Sequence, residues 1–420
     1  MKNSLILSLA LLLVFTGCVK NKGTISMTYN KATAVYGNID DVRNTPLLGA
    51  SRNVVNSGKI FVGDDFLLVG EKGEGIHLFD NTNTSSPMAI GFINLPFTEE
   101  FYVEGDFIYA ESHYDLVKIN ISDLYNPKLV DREEYAFGEA IKNAEGEVLL
   151  GFDYKVTTEK FELNSPEAEE LSASNYLYFD YQNQLIPQSS VPSSFAGSGN
   201  EIKGTLNKIA VHNGYIYVIG SSSVYTFQDN ASDVMFISEI EMGREMETVY
   251  AENNNLFIGT RFSMIVASIS SPSSPKYISE YNHPTSCDPV YPNGTVAYLT
   301  LRTADFSGCA GDENSLVVLD ITDVNNPLPI DQITMNSPYG MAKIGNNLFV
   351  GEGQNGIKIF DATNPAALVH LNSNVNVLAY DVLAHPTMPN IVLTTGSTGL
   401  HQYQIDYSDF SMQLLSTINY

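Results

Sequence analysis

Short apolar runs, each closed by a turn signal, recur along most of the chain. A Gly or Asn turn followed by an aromatic and aliphatic run starts at Gly63, Gly105, Gly146, Gly214, Asn254, Gly294, Gly345 and Asn390. The steps between them are 42, 41, 68, 40, 40, 51 and 45 residues, so the two long ones read as one period plus an insertion. A second apolar strand follows, ending in a small polar residue, often with Pro seven positions on. Ile76 to Asp80 leads to Pro87, Leu116 to Asn120 to Pro127, Met264 to Ser268 to Pro275, and Leu316 to Asp320 to Pro327. Ile357 to Asp361 and Gln404 to Asp406 keep the Asp without that Pro. The polar side chain can bond backbone two residues on and close a turn. Pro then opens an edge strand, where its missing N–H is tolerated.

Each unit of about 40 residues therefore predicts four short antiparallel strands, the size of one propeller blade. Stacking blades in a ring buries faces that one blade cannot bury alone. Separate β-sandwiches would need units of about 100 residues. The expected fold is all-β, a β-propeller over residues 51–420. Eight units are counted, or seven if the third is not a full blade. Its Glu159 to Asn164 stretch lacks the signature, and the Ser-rich residues 165–203 read as a long loop over one face. Thr24 to Tyr36 alternates like a strand that could pair with the last blade and fasten the ring, or could be a solvated linker. Ile39 to Arg43 fits one helical turn.

Leu316-Val317-Val318-Leu319-Asp320-Ile321-Thr322-Asp323, with Asn326-Pro327 after it, resembles the LVIVD repeat of bacterial envelope lipoproteins. Gly356 to Pro365 and Gly75 to Asp80 are similar, and the resemblance spans roughly residues 52–418. It implies a β-propeller and no established activity.

The N-terminus reads as an address. Lys2 precedes an apolar run of 11 residues, Leu5 to Phe15, too short to span a ~30 Å hydrocarbon core. Thr16-Gly17 then meets Cys18, which resembles a lipoprotein lipobox and implies cleavage after residue 17 and acylation of Cys18. An ordinary secretory signal is the alternative. Residues 18–50 would be the lipidated tether and N-terminal strand. Val19 is not a retention Asp, so an outer-membrane location is expected, periplasmic or surface-exposed. Cys287 and Cys309 remain, 22 apart around a Gly- and Ser-containing insertion. In an oxidising envelope a disulfide there is the simplest account, with a free pair the alternative.

Charge narrows the function. With 48 acids against 22 bases, a net charge of -26, the chain lacks the basic face that nucleic acid demands. No metal spacing, P-loop, dinucleotide fingerprint or nucleophile elbow is present, so no cofactor or metal is expected. Asp80 to Thr84 lacks the Gly and closing Glu of a calcium loop and reads as turn chemistry. Propeller ligands usually meet the mouth of the central channel, where each innermost strand begins, six or seven residues before the turn. Those positions are Glu99, Glu139, Lys208, Glu247, Asp288 and Tyr339, with Tyr380-Asp381 in the last unit. Converging carboxylates raise one another's pKa or demand a cation. The rim could hold a cation, an amine or a hydroxyl-rich ligand such as a glycan, or simply be hydrated. His283 beside Asp288 could form an acid–base or ligand pair, or cap a turn. Two functions follow. One is a non-catalytic envelope lipoprotein, membrane-bound through Cys18, whose propeller face binds a protein or glycan. The other is an envelope polysaccharide hydrolase or lyase using rim carboxylates. The missing catalytic signature favours the first.

Overall fold

A computed structural model describes residues 23–173, 176–180, 182, 184–186, 208–220, 222–260, 262–283, 290–303 and 314–420. Cys18, Cys287, Asp288 and Cys309 lie outside them. The chain divides into two compact units, residues 38–148 with 198–420, and residues 1–37 with 149–197.

In the larger unit the described residues form seven antiparallel meanders, here blades 1 to 7, over residues 57–94, 101–133, 209–241, 246–282, 290–334, 341–374 and 381–419. Their middle strands are mostly apolar because a neighbouring blade covers each face, with a few buried polar residues such as His77, Lys118 and Gln402. Met264 to Ala267 and Leu316 to Leu319 are almost wholly buried. Packing runs cyclically. Leu68 and Ile76 of blade 1 meet Val103 and Ile108 of blade 2, and the remaining interfaces follow in chain order. Ile391, Leu393 and Ile418 of blade 7 then return to Ile60, Val62 and Leu67 of blade 1. The first strands of blades 1, 2, 4, 5, 6 and 7 line a shared channel of about 300 Å³, with Ile60, Tyr102, Tyr250, Tyr291, Met341 and Leu383 among the lining residues. This is a β-propeller.

The turn signals act locally as the residue types suggest. Gly345 (φ 57°) and Asn254 (φ 59°) take the left-handed conformation of the tight hairpin, which Gly and Asn adopt with least strain. Beyond the third strand, Asp80 Oδ1 accepts from Thr82 N at 3.0 Å, and Asn83 Oδ1 from Ser85 N at 3.1 Å. Asp320 with Thr322 and Asp323 with Asn325 repeat the pair, as do Asp361 with Thr363 and Asn364 with Ala366. The Asp-x-Thr signature is thus two successive Asx turns. The bonds from Thr82, Thr322 and Thr363 hold Asp80, Asp320 and Asp361 below the usual carboxylate range. Every blade also carries a bulge between its third and fourth strands, which sharpens the twist toward the rim.

Three expectations need correction. The third unit is not a blade. Asn143 Oδ1 accepts from Glu145 N and Glu147 N, so Gly146 does sit in a turn, but the strand it launches, Val148–Glu162, joins a different sheet. Among the described residues the blades number seven, the alternative left open above, because a local turn motif says nothing about its strand's partner. Second, Thr24–Gly37 does not pair with the last blade. It lies between Val148–Glu162 and Tyr176–Phe179, parallel to the latter. Third, residues 165–203 are not all loop. Helix Pro166–Ala173 packs Leu171 with Tyr29, Leu177 and Phe179 in the smaller unit.

The helical turn Ile39–Arg43 is present. Arg43 donates from Nε and Nη2 to Asp115 of blade 2, both at 2.8 Å, and Arg132 Nη1 and Tyr135 N complete that buried carboxylate's shell at 3.0 Å. Blade 7 is built wholly from C-terminal residues, so side chains join it to blade 1. Buried Gln402 and Asn81 exchange amide hydrogen bonds of 2.8 and 3.1 Å.

Candidate functional site

Each first strand starts at one end of the channel, and the residues at its start meet there. Glu99 and Glu100 precede Phe101–Glu104, Lys208 precedes Ile209–His212, Glu247 lies in Met246–Glu252, and Asp381 opens Asp381–Ala384. Glu111 is the last residue but one of Phe107–Ser112, which runs antiparallel to the first strand of blade 2 and returns to the same end. Lys59 of Ser57–Val62 completes the group.

These charges act on one another. Burial pushes Glu100 up to about 7, opposed by Lys59 and Lys208 and assisted by Glu111 and Glu99. Burial also raises Glu111, against the pull of Lys208. Burial disfavours the Lys208 charge, yet Glu111, Glu100, Glu99 and Glu247 together outweigh it and hold the ammonium above its ordinary pKa. Lys59 is nearly sealed, and burial lowers it despite Glu100 and Asp381. Glu111 Oε1 also accepts from Glu99 N at 3.2 Å, pinning the turn that presents the acids. Glu100 Oε2 is sealed from solvent without a hydrogen-bond partner among the described residues. The mouth is therefore an interleaved set of acids and two lysines rather than a purely acidic rim. Among the described residues no three His, Cys, Asp or Glu side chains are grouped to hold a metal.

Beside this cluster, blades 6 and 7 frame a cleft of about 260 Å³ lined by Ser337, Tyr339, Glu352, Gln354, Asn355 and Tyr380. Its frame is backbone. Tyr339 N donates to Gly351 O at 2.8 Å, Tyr380 N to Thr395 O at 2.8 Å, and Gly353 N to Ala379 O at 2.7 Å. Thr300 Oγ1 donates to Tyr339 O at 2.8 Å. The two tyrosine rings meet edge to face at 4.9 Å. Gly353 (φ 57°) lies so close that a Cβ there would be 2.8 Å from Tyr339 and 3.1 Å from Tyr380. Gly340 lacks a Cβ where Asp381 places its carboxylate. Glu352 is buried and already engaged, receiving Asn336 N at 2.6 Å and Lys358 Nζ at 3.2 Å. By contrast, the side chains of Ser337, Tyr339, Gln354, Asn355 and Tyr380 hydrogen-bond no described residue. Five polar side chains on a rigid frame thus face an open cleft. Hydroxyls and amides around an aromatic pair can grip a hydroxyl-rich ligand.

The structure brings Glu99, Lys208, Glu247, Tyr339, Tyr380 and Asp381 to one end of the channel. Glu139 is exposed on the 134–147 connection and begins no inner strand, because its unit is not a blade. The backbone N–H of buried His283 donates to Phe262 O at 3.0 Å, and its proposed partner Asp288 lies outside the described residues. Sequence reading missed Lys59, Glu100 and Glu111. Lys59 stands four residues before its turn rather than six, Glu100 is masked by Glu99, and Glu111 sits on a second strand. The lining from residues 352–355 was signalled by the Gly-rich run Gly351-Glu352-Gly353-Gln354-Asn355-Gly356.

No protein-family model matches this chain, and no curated protein matches it in sequence. Solved structures do resemble it. The periplasmic gluconolactonase PpgL of Pseudomonas aeruginosa is 10% identical with a TM-score of 0.52, over 84% of this chain and 96% of that one. A protein from Lactobacillus plantarum is 10% identical with a TM-score of 0.51, over 94% and 96%. At such identity the likeness concerns the fold alone.

Proposed function

We propose that this chain is a cell-envelope lipoprotein of the LVIVD-repeat kind. Acylated Cys18 holds it on the outer membrane, and the propeller end carrying the channel mouth binds a glycan without catalysis. The observation that carries this reading is the cleft of Tyr339 and Tyr380, where five polar side chains have no hydrogen-bond partner among the described residues, on a hydrogen-bonded backbone frame. Ser337, Tyr339 and Tyr380 are half-buried and Gln354 and Asn355 exposed, so their donors and acceptors are open to a ligand that supplies both. The second reading, a polysaccharide hydrolase or lyase, draws on Glu100, whose raised pKa suits a proton donor at neutral pH.

The test is a thermal-shift screen of the mature chain with Cys18 removed, against envelope and host glycans. A ligand at ~100 times its Kd adds ~2.7 kcal/mol to stability. A shift with a glycan, lost in Tyr380→Ala, supports the reading. Turnover of that glycan abolished by Glu100→Gln would replace binding by catalysis. No shift with any glycan would end the glycan reading.

A further inference from the structure

Arg302 follows the second strand of blade 5, Val296–Leu301, and its guanidinium lies over the Tyr339 ring, 4.2 Å from the centroid. That ring also lines the cleft. The other described arginines all have carboxylate partners: Arg43 and Arg132 with Asp115, Arg52 with Glu74, Arg244 with Glu280. Arg302 has none among the described residues. In a chain with 48 acids to 22 bases, a cation with no carboxylate partner among the described residues, set over a ring that lines an open polar cleft, stands apart from the other arginines. The one carboxylate in the lining, Glu352, is neutralised by Lys358 and held by the Asn336 amide, so it does not compete for Arg302.

We infer that the cleft takes an acidic sugar, a uronic or nonulosonic acid residue, with its carboxylate on Arg302 and its hydroxyls on the open side chains of the lining. This rests on the glycan reading above and specifies its ligand class. A guanidinium stacked on an aromatic face keeps its N–H edge free, and that edge matches a carboxylate in two parallel bonds. The contact with the Tyr339 ring, 4.2 Å from its centroid, holds the guanidinium in place in advance. At about 260 Å³ the cleft lies below the ~300–1,000 Å³ of drug-sized sites, which suits one sugar residue rather than a chain of them.

The experiment is titration calorimetry of the full mature chain with Cys18 removed. The probes are galacturonate-terminated and sialate-terminated oligosaccharides, each matched with its carboxyl-reduced neutral form. The expected result is at least tenfold tighter binding of one acidic probe than of its neutral twin. Arg302→Gln should erase that difference and leave the neutral affinity in place, while Arg302→Lys should keep part of it, since a point charge retains attraction but not the paired bonds. Both variants should melt like the wild type, because no described residue relies on Arg302 for an ion pair. Equal affinity for acidic and neutral forms, unchanged in Arg302→Gln, overturns the inference and leaves the glycan reading standing. Failure of every probe, acidic and neutral, overturns both.

Discussion

Ring closure without a shared strand makes Gln402 a sensitive position. Its side chain is 1% exposed, and Asn81 is fully buried. Gln402 Nε2 donates to Asn81 Oδ1 at 2.8 Å, to Thr84 O at 3.2 Å and to Ser416 Oγ at 3.2 Å, while Asn81 Nδ2 donates to Gln402 Oε1 at 3.1 Å. Gln402→Leu keeps the bulk and removes both amide ends. Thr84 O retains Ser416 Oγ at 2.6 Å, so the damage falls on Asn81, whose Oδ1 and Nδ2 lose those buried partners. At about 1–3 kcal/mol for each of two stranded groups, partly offset by about 1–2 kcal/mol from the more apolar side chain, the net loss is about 1–4 kcal/mol. Urea unfolding of the wild type, both single variants and the Asn81→Leu/Gln402→Leu double variant measures it. The double variant should be less destabilised than the sum of the singles by about 1–3 kcal/mol, because each single strands the other's partner. Additive losses, or a single variant within ~0.5 kcal/mol of wild type, would refute a closure held by this pair.

Other positions respond in their own ways. Glu100 is raised from 4.5 to about 7, so the folded state holds its proton more tightly than the unfolded one. The protein should therefore lose stability as pH rises between those values. Glu100→Gln, which mimics the protonated form, should melt like wild type below pH 4.5 and higher above pH 7, and matching pH profiles would count against a buried Glu100. Gly353→Ala forces φ 57° on a residue with a Cβ set against Tyr339, at about 1–2 kcal/mol for the backbone alone, and should displace the ring. Loss of glycan binding greater than loss of stability is the expected signature, and unchanged binding would argue against a preset frame. Asp115→Ala leaves Arg43 and Arg132 without their shared buried acceptor and should destabilise by about 3–5 kcal/mol; a loss under ~1 kcal/mol in urea unfolding would contradict the anchoring of Ile39–Arg43 on blade 2.

The repeat was legible because its signals are local and recur. Each Gly or Asn hairpin and each Asp-x-Thr turn is decided by residues within a few positions, so Asp320 to Pro327 announces its blade without help. Strand partnership is a tertiary choice, and it misled at Gly146. The turn there is real, yet the strand after it pairs with Thr24–Gly37 rather than with blade neighbours. The true step from the blade 2 turn at Gly105 to the blade 3 turn at Gly214 is 109 residues, which a 41-residue spacing concealed. The channel mouth was legible wherever an inner strand kept the six- or seven-residue offset, as at Glu99, Lys208, Glu247 and Tyr339. It was illegible where another strand supplied the group, as with Glu111, or where blade 1 shifted the offset at Lys59. How strongly Lys59, Lys208 and the acids act on one another could not be read from spacing, because it depends on burial and on which side chains come together.

The most direct measurement is titration of a bound glycan into the Tyr339→Phe/Tyr380→Phe double variant. Those changes keep both rings and their 4.9 Å edge-to-face packing and remove only the two hydroxyls that have no partner among the described residues. If the cleft grips the ligand's hydroxyls, losing two hydrogen bonds at about 0.5–1.5 kcal/mol each weakens binding by about 5- to 150-fold, with melting unchanged. Wild-type affinity in the double variant would contradict a glycan site at this cleft.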